Sequence, residues 1–136
     1  MVENFDGMVN LGIFCVLTLG WAMYAYQIVF GTKAFYDKFG MSHTAVIMGR
    51  FLGSFALSAV IMHLYLLFNG IEGAWFLVTF FIMQGLFAAV SSAVTINQKV
   101  GVEEGVRYTP EPVVAPLVFA AGYAILLFRL SDKFYA

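Results

Sequence analysis

Four apolar stretches, over roughly 9–30, 44–68, 73–96 and 113–130, take up almost all of this 136-residue chain. Each has the length, about 17–25 residues, that a helix needs to cross a hydrocarbon core of about 30 Å. The expected fold is therefore all-α: an integral membrane, antiparallel four-helix bundle that uses residues 1–136 as a single membrane domain.

Composition agrees. The chain is 62% hydrophobic and 11% charged, where soluble domains carry about a quarter charged residues. Its seven Lys/Arg and eight Asp/Glu fall at helix ends and in connectors, too few to coat a water-soluble globule. With a net charge of −1 there is no basic face to neutralise phosphates, so nucleic acid is excluded as a partner. The lipid bilayer is the expected surrounding. Cys15, the only cysteine, lies inside the first span and has no partner for an intramolecular disulfide. With two histidines and one thiol, a metal site would have to be shared between subunits, and none is expected. Met1–Met8 carries Glu3 and Asp6 but no Lys or Arg. A cleavable leader wants a positive start and a shorter apolar run, so the first span is expected to be a permanent helix.

The connectors set the order in space. Thr32–Thr44 carries Phe35, Tyr36 and Phe39 on one side of a short helical turn that ends at Gly40, which suits a segment at headgroup level. Ser42 or Thr44 can cap the second span. Asn69-Gly70-Ile71-Glu72 is so short that it predicts a tight hairpin of the second and third spans. Asn97–Pro112 is polar and is expected to be an exposed loop, with Pro116 in the first turn of the fourth span. Lys33, Lys38, Arg50, Lys99 and Arg107 belong to the two long connectors or their flanks, and only Arg129 and Lys133 lie on the other side. The positive-inside rule then puts both long loops in the cytoplasm and both termini outside, with a bacterial inner membrane as the expected location.

The second span carries the most information. Ala45, Gly49, Gly53 and Ala56 recur at spacings of four, four and three and form a groove of small side chains. Such grooves let helix backbones touch, either within one subunit or at a seam between subunits. His63 lies on the same face, about four turns beyond Gly49. It is expected to face protein, either as a hydrogen-bonded neutral imidazole or as an axial ligand to haem or a chlorophyll-type pigment, or as a proton relay. A second stripe is polar: Arg50, Ser54, Ser58 and Tyr65. The third span has Gln84, Ala88, Ser91 and Thr95, with Ser92 beside them. If the hairpin is tight and the stripes face one another, Ser58 lies level with Gln84, and Arg50 with Ser91, Ser92 and Thr95. Arg50 would then be held by hydroxyls and carbonyls of the third span, or it would snorkel to the headgroups. Trp75, Tyr26, Tyr36 and Tyr108 sit near span boundaries as interface anchors, and Trp21 packs at mid-span.

Phe30-Gly31, Phe39-Gly40 and the Gly49-Arg50 that opens a small-residue-rich second span give a layout that resembles small four-span bacterial membrane proteins of the DoxX-like kind. The resemblance covers the hydropathy of the whole chain but only about 20 residues of motif, and it implies no active site.

No Asp or Glu lies well inside a span, which disfavours ion-coupled transport. Cys15, His63 and Arg50 form no nucleophile–base pattern, so catalysis is not expected. The leading expectation is an accessory or scaffolding subunit, as a homo-oligomer or within a larger membrane complex. A cofactor protein using His63 and a small channel or transporter lined by the Arg50 and Gln84 stripes are the alternatives.

Overall fold

A computed structural model describes residues 1–99 and 109–136. All regular structure among them is helical: α1 (Met8–Val29), α2 (Thr32–Phe39), α3 (Val46–Asn69), α4 (Trp75–Gln98), α5 (Glu111–Arg129) and α6 (Ser131–Phe134), with one-turn 3-10 helices at Glu3–Phe5 and His43–Ala45. Four of these, α1, α3, α4 and α5, are long and apolar enough to cross a membrane. They start and end within two residues of the apolar stretches. The chain is an integral membrane protein, an all-helical four-helix bundle.

Who packs against whom differs from the hairpin expectation. The most extensive contact is α4 with α5, followed by α1 with α3 and then α1 with α5; α3 and α4 are not a closely packed pair. The physical reason is where backbones can approach. A Cβ on Gly53 of α3 would lie 2.6 Å from Val29 Cγ2 and 2.9 Å from Ile28 Cγ2 of α1. A Cβ on Gly85 of α4 would lie 2.7 Å from the Pro116 carbonyl oxygen of α5. Close approach through small residues, not loop length, decides partners where lipid is as apolar as leucine. The short link joins α3 to α4, and the two touch through side chains such as His63 and Phe81, whose rings lie 5.1 Å apart. The link is itself buried at Ile71 and Ala74.

The Ala45–Gly49–Gly53–Ala56 groove is therefore filled from within the chain. Gly49, Gly53 and Ala56 are buried on α3. Gly53 receives α1, and a side chain on Gly49 would strike the hydroxyl of Tyr36. Tyr36, expected at the headgroups, is instead turned inward and buried, and its hydroxyl donates to the Ala45 carbonyl at 2.6 Å. Its amphipathic helix ends as expected, with Gly40 in the left-handed region at φ 63°. Ser42 caps the 3-10 turn that leads into α3, accepting from the Thr44 amide.

Pro116 is the sixth residue of α5, not in its first turn, because α5 begins at Glu111 and Pro112 takes the early position. Its missing N–H leaves an interior helix bond unmade. Lys38 of α2 and Glu111 of α5 pair at 3.0 Å, both half-exposed. That pair puts α2 and the start of α5 at the same end of the bundle. The two termini meet at the opposite end. The expectations for Tyr108, for Arg107 and for most of the polar third connector lie outside the described residues.

Candidate functional site

All four spans meet at His63. Its ring is 1% exposed. Nδ1 lies 2.6 Å from the Ala59 carbonyl one turn back. A carbonyl can only accept, so Nδ1 carries the hydrogen. Nε2 is then the acceptor, and the hydroxyl of Tyr123 on α5 donates to it at 2.6 Å. Trp21 of α1 donates its Nε1–H to the same tyrosine oxygen at 2.7 Å. The result is a directed chain, Trp21 to Tyr123 to His63 to Ala59, in which each donor has one acceptor.

Aromatic rings enclose this chain. Phe81 of α4 stacks on Tyr123 with centroids 5.1 Å apart and planes 18° apart. Phe81 and Phe14 each lie 5.1 Å from the imidazole, and Trp21 lies 5.5 Å from Phe81. Apolar rings keep lipid and water off the polar atoms, which strengthens each bond and raises the cost of leaving one unmade. Among the described residues no buried side-chain nitrogen or oxygen lacks a partner.

This arrangement does not fit an axial ligand. A haem iron or a chlorophyll magnesium needs an imidazole nitrogen with a free lone pair, and both nitrogens of His63 are engaged inside the bundle. Nor, among the described residues, do three metal-binding side chains come together.

A second polar knot closes the end where the termini meet. Asn10 donates to the Phe5 carbonyl at 3.0 Å and accepts from Arg129 Nε at 2.7 Å. Lys133 donates to the Glu3 carbonyl. Phe5 and Phe134 are fully buried beneath these contacts. Sequence reading did not single out Tyr123 or Asn10. Each is a hydrogen-bonding side chain set in a nearly unbroken apolar run, and that signal could have found both.

The polar stripes have another fate. Arg50, Ser54 and Ser58 are exposed, whereas Gly53 and Ala56 on the same helix are buried. Ser54 turns its hydroxyl back to the Phe51 carbonyl at 2.6 Å. On α4, Gln84 and Ser91 are exposed and Ser92 and Thr95 half-buried; Thr95 donates to the Ser91 carbonyl at 2.9 Å. Ser91, Ser92 and Thr95 line a shallow groove of about 140 Å³ with Ile96 and Pro112. Arg50 does not reach them. The two stripes do not face each other within one chain, because α3 turns its small-residue face to α1 and its polar face outward. Of the two expectations for Arg50, the one in which α4 holds it is not met. The guanidinium is the fifth residue of α3 and exposed, within snorkelling distance of the headgroups.

Compared with protein-family models, with curated proteins and with solved structures, the chain matches none.

Proposed function

We propose that this chain is a structural subunit of a membrane assembly, one that holds other spans against its outer faces and performs no chemistry of its own. The observation that carries this reading is the division of polar groups. Inside, the hydrogen-bonding side chains are satisfied and committed to one another. Outside, α3 and α4 present polar and small residues at the depth of the hydrocarbon core, where an unmet polar group costs several kcal/mol. Serine and threonine can meet that cost through their own helix. Gln84 does not, and a neighbouring span is the natural remedy. The likeness in layout to DoxX-like proteins adds no residue role to this reading.

Extraction into native-lipid particles tests it. The expected particle is heavier than one 15.1 kDa chain and has no visible absorption band. A particle holding a single chain overturns the reading, and a haem-like or chlorophyll-like band would move it towards the cofactor class. The same reading takes a bacterial inner membrane as the location, with the termini outside. In a Cys15→Ser background, Glu3→Cys should label from outside sealed cells and Glu103→Cys should not.

A further inference from the structure

We infer that Gln84 marks a contact between two copies of this chain, which meet along α4 with their Gln84 amides hydrogen-bonded to each other. The inference rests on the subunit reading above and names the partner for one face.

The placement of Gln84 comes first. It lies nine residues, about 14 Å at 1.5 Å per residue, from the start of a 24-residue helix. Its side chain is exposed and makes no hydrogen bond to any described residue. Its two methylenes are too short to lift the amide to the headgroups. Unlike Ser54 and Thr95, it does not return to its own backbone. Two donors and an acceptor are left facing hydrocarbon.

The choice of partner follows from symmetry and chemistry. Copies of one chain insert in one orientation, so identical residues lie at identical depth. A two-fold axis along the membrane normal then sets a residue opposite its own number. A carboxamide is both donor and acceptor, so two of them complete each other. The polar face of α3 fails this test, because the same axis there would oppose Arg50 to Arg50. The surroundings of Gln84 also suit a helix seam. Gln84, Ala88, Ser91 and Thr95 are spaced four, three and four, the spacing of a left-handed helix crossing. Ala88 and Ser91 are small enough for the two backbones to come close.

Disulfide crosslinking in native membranes tests the contact, in a Cys15→Ser background. Ala88→Cys and Ser91→Cys, which keep the glutamine, and Gln84→Cys should each give crosslinked dimers. Met83→Cys, Leu86→Cys and Val90→Cys, all exposed but on other sides of α4, should give few. In detergent, Gln84→Leu should weaken dimerisation roughly tenfold, the loss of two interhelical bonds of modest strength, and Gln84→Asn should retain most of it. Equal crosslinking on all sides, or an unchanged association constant in Gln84→Leu, overturns the inference. A particle that contains other chains but gives no crosslinks at 84, 88 and 91 overturns it while leaving the subunit reading intact; a single-chain particle overturns both.

Discussion

Ser58 and His63 are less than a turn and a half apart on the same helix, yet they face different worlds. His63 is sealed in the centre with a partner on each nitrogen. Ser58 is exposed on the outer face. The inner set ties α1, α3 and α5 into one rotation, since Trp21, His63 and Tyr123 can meet in only one relative turn of their helices. The outer set ties nothing within the chain. A polar residue in a membrane span is thus two different objects. It is a pin where it faces its own bundle, and where it faces out it fixes nothing within the chain.

The sharpest way to break this contrast is His63→Ala. It removes a buried ring and strips Tyr123 of its acceptor, so unfolding in detergent should show a loss of about 2–5 kcal/mol. A variant as stable as the parent would reduce the inner chain to ornament. Gly53→Leu comes next, with about 1–3 kcal/mol from overpacking against Ile28 and Val29. Because that groove is filled from within the chain, stability should fall with association unchanged. The reverse, a stable bundle with broken association, would make the groove a seam.

Tyr123→Phe should cost about 1–2 kcal/mol, since it strands both the Trp21 N–H and the imidazole Nε2. In a Trp75→Phe background the Trp21 emission should shift, which reads the lost bond directly. An unshifted spectrum would mean that tryptophan and tyrosine are not bonded. At the small end, Ser58→Ala should change folding stability by no more than about 0.5 kcal/mol. A larger loss would place Ser58 among the pins.

Much of this was legible in the residues, and the failures have a common cause. The four helices follow from apolar length, because the bilayer leaves a spanning backbone no alternative. The inward turn of Gly49, Gly53, Ala56 and His63 follows from the period of the helix. Helix period, however, fixes only which residues share a face, not which helix that face meets. The short Asn69–Glu72 link pointed to α3 against α4, and the contacts went instead to α1 through Gly53 and to α5 through Gly85. Tyr36 has the composition of an interface anchor. The space over Gly49, which only the folded α2 reveals, draws it inward. Tyr123 is separated by 60 residues from His63 and by 102 from Trp21, pairings that local pattern does not encode.

The knot between Asn10 and Arg129 joins residues 119 positions apart, and this bears on the order of assembly. A ribosome-bound chain delivers α1 and α3 to the bilayer well before α5 exists. They can pair at once through Gly53, a nearly local step. Trp21, His63 and Asn10, however, must wait in lipid with unfilled bonds until the last span arrives. Such long-range closure is the slow part of folding, and the waiting species is the one exposed to misassembly. A chain that stalls before residue 111 would therefore present its polar core to the membrane, and α5 acts as the latch that ends that exposure.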